Sequence, residues 1–213
     1  MTVVNYLIRL HLPDRPGALG AVASRIGSVG GDVVSIEILQ RDQGIVVDEL
    51  GVGLAGDHLI DLLRDEILEV DGVVVESVRP VEGALPDRHT ELLEVATELF
   101  KQDSATGLLD HLIGRVCRSL VADFVAVLDT DALGVTASLG GLPGPDELRA
   151  MALRAVSPPP DSQEVDGAVA TAFLVSADLI IVVGRRDPVL RDRERQWLSI
   201  MAELADHGWQ ELS

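Results

Sequence analysis

The chain has 213 residues, of which 47% are hydrophobic and only 3% aromatic, and its formal net charge at pH 7 is −18. This length is enough for one large domain or two ordinary ones with aliphatic cores. The strong acidity and the lack of a basic patch argue against contacts with nucleic acid or anionic lipid. A single cysteine, Cys117, excludes an internal disulfide and is typical of a reducing compartment.

No segment of the sequence indicates export or membrane insertion. The N-terminal residues carry charge too early for a secretory signal. The most apolar segment, 168–184, is interrupted by Ser176 and Asp178 and is rich in β-branched residues, which favours two buried strands over a membrane span. We therefore expect a cytoplasmic protein with no membrane partner.

The first 81 residues predict a β-α-β-β-α-β unit, the ferredoxin-like arrangement. Apolar residues recur at helical spacing after Gly17, and Gly30-Gly31 provides a helix stop. The predicted strands cover 3–11, 32–40, 45–54 and 73–81, and the predicted helices cover 17–29 and 57–68.

A linker is predicted over 82–88, and the pattern beyond it is α+β without repeating the first unit. Domains are therefore expected over 1–81 and 89–213. The second is predicted to contain helices over 89–101, 105–120, 145–155 and 187–208, strands over 123–129 and 133–139, a proline-rich loop over 157–167, and two strands on either side of 176–178.

The junction "DRPGALG", residues 14–20, has the composition of an anion site. Proline is favoured in the first turn of a helix, where we expect Pro16, and Gly17 lets another group approach the backbone. The amides of Gly17, Ala18 and Leu19 would then point outward at the positive end of the helix dipole, as a carboxylate requires. An ordinary strand-to-helix turn explains the same residues, and both interpretations stay open.

Within its β-α-β-β-α-β unit this junction resembles the signature of the ACT domain family. The matching residues are Asp14, Pro16, Gly17 and Leu19, followed by Gly31-Asp32-Val33-Val34 at the second strand. The resemblance covers residues 3–81. It implies a regulatory module that pairs side by side with a second copy and binds an amino acid or a similar metabolite at the interface.

The ACT resemblance also implies a set of ligand-binding residues. The ligand carboxylate would meet the backbone at the start of the helix, the preceding loop would line the site, and the start of the second strand would hold the amino group or side chain. The implied ligand-binding residues are Asp14, Arg15, Pro16, Gly17, Ala18, Leu19, Val33, Val34 and Ser35.

Residues 89–208 are similar to a GAF domain, in which helices pack on one face of an antiparallel sheet. The phrase "DPVLRDRERQWLSIMAELA" matches the last helix of that family. GAF domains hold small molecules in a pocket or dimerise through their terminal helices. The middle of the segment is shorter than the family pattern, so no pocket residues are implied.

The segment "GVGLAG", 51–56, matches a dinucleotide-binding fingerprint, but Asp57 places negative charge where a pyrophosphate would lie. We interpret it as the end of a strand. The histidines are scattered, so no metal or catalytic set is expected. Cys117 is expected in the core, and the charges of 191–198 are expected to form a salt-bridged outer helix face.

Together with the ACT and GAF resemblances, these patterns lead us to expect a non-catalytic sensor without cofactor. The ACT resemblance implies a homodimer that binds an amino acid or related carboxylate, and its output is expected to act on an effector protein. Two alternatives remain open: a structural dimerisation module with an empty ACT pocket, and a small enzyme.

Overall fold

The computed structural model describes residues 3–156 and 167–212, so the predicted proline-rich loop lies almost wholly outside the described residues. The chain divides into two compact units, Met1–Pro86 and Asp87–Ser213. Within the described ranges, no helix is both long and apolar enough to cross a membrane.

The first unit has the predicted ferredoxin-like topology, with an antiparallel sheet in the order β2-β3-β1-β4. A single 3₁₀ turn, Asp57–Leu59, precedes its second α-helix. Its elements are β1 (Val4–Pro13), α1 (Ala18–Ser28), β2 (Asp32–Asp42), β3 (Ile45–Leu54), α2 (Ile60–Leu68) and β4 (Val74–Val81).

β1 and β3 pair over ten residues without a register shift, which assigns alternate side chains to opposite faces of the sheet. One face is covered by α1 and α2. Its buried core consists of Tyr6, Ile8, Leu10 and Leu12 of β1, Leu50, Val52 and Leu54 of β3, Ala18, Val22 and Ile26 of α1, Leu63 and Ile67 of α2, and Val70 and Val73.

The other face of the sheet carries a buried ion pair. The Arg9 guanidinium donates a hydrogen bond to Glu49 Oε2 at 2.9 Å, and the two side chains are only 1% and 5% exposed. Arg79 Nη2 also approaches Glu49 Oε2, at 3.5 Å. Three neighbouring strands are therefore linked by charge on this face as well as by backbone hydrogen bonds.

β2 is an edge strand, and its pairing with β3 shifts register at two places, between residues 33 and 35 and between residues 38 and 40. Ile36 and Ile38 are 48% and 49% exposed. On β3, Gly51 has no room for a side chain, because a Cβ there would lie 2.3 Å from Ser35 Oγ. The first four residues of "GVGLAG" thus end a strand, as the sequence predicts.

The second unit is α+β, with an antiparallel sheet in the order β6-β5-β8-β7. The strands and helices lie near their predicted positions, except for the last helix. The elements are α3 (Arg88–Leu99), α4 (Ala105–Ser119), β5 (Phe124–Asp129), β6 (Val135–Gly140), α5 (Pro145–Val156), β7 (Val169–Leu174), β8 (Leu179–Gly184) and α6 (Asp192–Leu212).

Helices cover both faces of this second sheet. Leu148 and Ala152 of α5 pack against Ala126 of β5 and Val182 of β8 on one face. The alternate residues of β5 and β8 point to the other face, where α4 and α6 contact the sheet. The GAF resemblance implies helices on one face, so α5 is an addition to that expectation.

The segment before α6 corrects the prediction that the last helix starts at residue 187. The Arg185 guanidinium donates to the carbonyl oxygens of Pro188 at 2.5 Å and Val189 at 3.0 Å. It also forms a two-point ion pair with Glu194, at 2.7 and 2.8 Å. Because these contacts hold the chain in a loop around the guanidinium, the helix begins only at Asp192.

Glu194 also corrects the expected salt-bridged outer face of 191–198. Its side chain is 2% exposed and points into the unit toward Arg185, which is 3% exposed. Arg195 donates to the Val169 carbonyl at 2.6 Å. The charged residues of 191–198 do have helical spacing. The carboxylate of Glu194, however, pairs with Arg185, 9 residues earlier in the chain, and not with a neighbour on the helix.

We predict that Glu194→Gln destabilises the second unit. The variant leaves the Arg185 charge buried without its counter-ion, a loss of about 3–5 kcal/mol for a broken buried pair. The measurement is the free energy of unfolding by chemical denaturation, followed through Trp197 and Trp209 fluorescence, since both tryptophans lie in α6. Glu203→Gln, exposed on the same helix, is the control and should change stability by less than about 0.5 kcal/mol.

Candidate functional site

The junction between β1 and α1 forms a tight loop with a free helix start. Asp14 N–H donates to the Gly44 carbonyl at 2.8 Å, which ties the loop to the β2–β3 turn. Gly17 is the N-cap, with φ 89°, and no side chain caps the helix. Among the described residues, the amides of Leu19 and Gly20 have no acceptor. Two helix donors are thus available to an anion.

Two details of the predicted site are corrected. Pro16 lies before the N-cap, outside the first helical turn, because the left-handed Gly17 separates it from α1. The Ala18 amide is not available, since it donates to the Arg15 carbonyl at 3.3 Å and closes the turn. Of the three predicted amides, those of Gly17 and Leu19 have no acceptor among the described residues, and the Gly20 amide is available in addition.

Gly17 has a left-handed backbone conformation and is surrounded by open space on the side where a side chain would lie. Its positive φ is strained for residues with a side chain, and a Cβ built there would meet nothing within 4 Å. The exposed loop Asp14–Gly17 therefore leaves the approach to the helix start unobstructed.

The other predicted site residues, Val33, Val34 and Ser35, lie at the opposite end of the sheet. Val33 pairs with Val52, which pairs with Tyr6. β1 runs a further seven residues from there to Pro13, about 23 Å at strand spacing. Within one copy of the chain these residues therefore do not meet the loop.

Asp48 is a residue of this region that the sequence analysis missed. It lies on β3 directly opposite Leu10, so its side chain is on the face covered by the helices. It is 4% exposed, its Oδ1 is fully buried, and it accepts no hydrogen bond from any described residue. The signal in the sequence is a break in alternation: Val46, Leu50 and Val52 are apolar at the same spacing.

One charge of β2 and one of the predicted loop act on Asp48. Burial raises the pKa of its carboxyl group, the positive charge of Arg41 lowers that pKa, and the negative charge of Asp14 raises it further. Arg41 Nε lies 3.7 Å from Asp14 Oδ2 at the exposed rim. Two carboxylates, one guanidinium and the helix N-terminus thus meet at this end of the sheet.

The second unit contains a cavity of about 270 Å³ beside the open end of β5 and β8. Phe124, Met151 and Val169 line its apolar part, and the exposed Glu147 and Arg186 lie at its rim. Arg185 also lines the cavity and is buried, but all five N–H donors of its guanidinium are already bound by Glu194 and by carbonyl oxygens. This buried group therefore has no free donor with which to orient a ligand.

The titratable groups of α3 and α4 form a structural cluster. Arg115 and His111 both bind the Glu98 carboxylate, and the hydrogen bond from Arg115 is the main cause that lowers the pKa of Glu98. Cys117, expected in the core, is half-buried, and burial raises the pKa of its thiol. The described residues contain no group of three metal-ligating side chains.

We predict that Asp48→Asn stabilises the ligand-free protein at pH 7. A raised pKa means that folding favours the protonated acid, so wild-type stability falls as the pH rises from the ordinary value of 3.8 through the folded-state pKa. The side-chain amide of the variant is neutral, so folding no longer buries a charge at this position. The free energy of unfolding should therefore rise by about 1 kcal/mol at pH 7. Urea denaturation at several pH values measures it.

The gain should shrink as the pH falls through the raised pKa of Asp48 toward the ordinary value of 3.8, because the wild-type side chain then loses its charge. Asp65→Asn, on the exposed surface of α2, is the matched control and should behave as wild type. A variant less stable than wild type at pH 7 contradicts the prediction.

No protein-family model matches the sequence, and no curated protein matches it. Among solved structures, the chain is similar to the ACT domain of a GTP pyrophosphokinase from Chlorobium tepidum. The crystal structure of that domain has 20% identity and a TM-score of 0.31 and covers 38% of this chain and 100% of that one. Its solution structure has 20% identity and a TM-score of 0.32, with 41% and 96% covered.

An unknown protein from Galdieria sulphuraria is also similar, with 13% identity, a TM-score of 0.35, and 73% of this chain and 91% of that one covered. At these TM-scores, the similarities carry no argument about the function of this chain.

Proposed function

We propose that the first unit is an ACT-type regulatory module that binds an amino acid or a related small carboxylate at the start of α1. The observation that carries the proposal is the open helix start at Gly17, where the Leu19 and Gly20 amides have no acceptor among the described residues. A carboxylate there receives two backbone hydrogen bonds and the favourable field of the helix dipole.

The complete site requires a second copy of the chain. Val33, Val34 and Ser35 are about 23 Å from the loop within one copy, measured along β1. Two copies that pair antiparallel along their β2 edges would bring the start of one β2 beside the end of the other. Residues 33–35 of one copy then approach the loop Asp14–Gly17 of its partner, as the ACT resemblance implies.

The second unit is proposed to be a GAF-like element that contributes to dimerisation or carries the signal to an effector protein in the cytoplasm. Its four-stranded antiparallel sheet in contact with α4 and α6 supports this assignment, while α5 is an addition to the family pattern. A ligand at the first unit regulates such an output only if it binds two arrangements of the protein with different affinity. The proposed role is non-catalytic, because the sequence contains no converging set of nucleophile, acid and base.

A purely structural dimerisation module is the second candidate. Ile36 and Ile38 are half-exposed on an edge strand, where unpaired backbone groups favour pairing with another strand. This surface explains a dimer with no ligand in the loop.

We predict that ligand binding depends on Gly17. In a thermal-shift screen with the twenty common amino acids, a ligand at 100 times its Kd should stabilise wild type by about 2.7 kcal/mol. Gly17→Leu should lose this shift, since its side chain fills the open approach to the helix. Gly30→Leu is the matched control: Gly30 also has a positive φ with no atom within 4 Å of a built Cβ, but it follows the other end of α1.

If no amino acid or small carboxylate stabilises wild type, the sensing proposal fails and the structural candidate remains. If Gly17→Leu folds and retains the shift, the ligand binds elsewhere in the protein.

We predict that Ile38→Lys weakens self-association. A charge in the centre of the exposed apolar strip of β2 would have to be desolvated in a paired edge. Light scattering across a dilution series should show a dimer for wild type and a dissociation constant at least tenfold higher for the variant, about 1.4 kcal/mol. Leu62→Lys, equally exposed on α2, is the control. A wild-type protein that is monomeric at tens of micromolar contradicts pairing along β2.

A further inference from the structure

Asp48 has no function in the fold that its contacts explain. It is 4% exposed, yet no described residue donates a hydrogen bond to it, although its cross-strand neighbours on the same face are apolar. A buried charged acceptor without a donor is costly, and protein interiors rarely retain one. The absence of a donor therefore suggests that a group from outside the chain supplies one.

The position of Asp48 associates it with the helix start of the proposed site. Leu10, its cross-strand neighbour, belongs to the same buried cluster as Ala18, the first residue of α1. Asp14, at the beginning of the loop, is close enough for its charge to act on Asp48. Asp48 also lies two residues along β3 from Val46, whose β2 partner Arg41 contacts Asp14 at 3.7 Å. The carboxylate of Asp48 therefore lies at the same end of the sheet as the loop.

The charges at this end of the sheet discriminate between two classes of ligand. A ligand with only a negative charge would gain from the helix amides but would be repelled by Asp14 and Asp48. A zwitterion is neutral overall and carries an ammonium donor beside its carboxylate. The carboxylate then faces the amides while the ammonium faces the acids, so each charge meets its opposite.

We infer that Asp48 accepts a hydrogen bond from the ammonium group of the ligand and so selects α-amino acids over carboxylates that lack an amino group. This inference rests on the proposed function, since it names a specificity residue of the same site. Arg41 Nε lies 3.7 Å from Asp14 Oδ2 at the rim, and its positive charge also lowers the pKa of Asp48. No hydrogen bond from Arg41 reaches the buried Asp48 Oδ1, so this oxygen can still accept one from a ligand.

The test compares amino acids with analogues that lack only the ammonium. Calorimetry or thermal shift first identifies which of the twenty common amino acids binds wild type most tightly. Its 2-hydroxy-acid analogue, which replaces the ammonium with a hydroxyl group, is then titrated into wild type and into Asp48→Asn. Asp42→Asn is the matched control, because it removes the same charge from an exposed position at the same end of the sheet.

The inference expects wild type to bind the amino acid about 10- to 100-fold more tightly than the hydroxy acid, as for a charged hydrogen bond. Asp48→Asn should lose that preference, with weaker binding of the amino acid and unchanged or tighter binding of the hydroxy acid. Asp42→Asn should keep the preference. The ligand-free unfolding curves establish that both variants are folded.

Different results would contradict the role of Asp48 and the proposed function of carboxylate binding at α1. Equal binding of the two ligands by wild type, or an unchanged preference in Asp48→Asn, overturns the role of Asp48 and leaves carboxylate binding at α1 intact. If neither ligand class binds wild type, both the inference and the proposed function fail.

Discussion

The unbroken register between β1 and β3 is the constraint on which the first unit depends. Ten consecutive pairs without a shift assign every side chain of the two central strands to one face. The register puts Glu49 beside Arg9 on one face and Asp48 beside Leu10 on the other. A slip of one residue would exchange the two acids, leaving Arg9 buried without its partner and filling the core beneath the helices with charge. One pairing thus determines both the structural ion pair and the specificity residue proposed here.

Much of the fold was predictable because local signals agree with the tertiary arrangement. The hairpin strand was predicted over 45–54 and is Ile45–Leu54, because alternating apolar residues end at a turn on both sides. Glycines at 30 and 31 ended the first helix within a residue or two of its observed bound, Ser28. The last helix is the exception, because its start depends on Arg185. This residue binds backbone carbonyl oxygens of the preceding loop, and such contacts leave no periodic pattern in the sequence.

The candidate site was predictable only in part, for the same reason. The composition of residues 14–17 indicated an open helix start, but the backbone conformation of Gly17 decides which amides remain available. Asp48 was overlooked because its significance lies in cross-strand neighbours rather than in nearby sequence. Residues 33–35 are implied by the ACT resemblance, in which the ligand lies at the interface of two copies. Within one chain these residues do not lie near the loop. Glu194 likewise fits a surface charge pattern in the sequence, but its partner Arg185 lies nine residues earlier, outside the helix.

The two register shifts in β2 affect how a second strand adds to this sheet. They divide its pairing with β3 into short regular stretches, of which 35–38 and 40–42 are the longest. A long, regular edge would accept strands in several registers and promote open-ended aggregation. An edge divided into short regular stretches limits the number of alignments with a partner strand. The two register shifts would therefore determine which residues of two copies face each other.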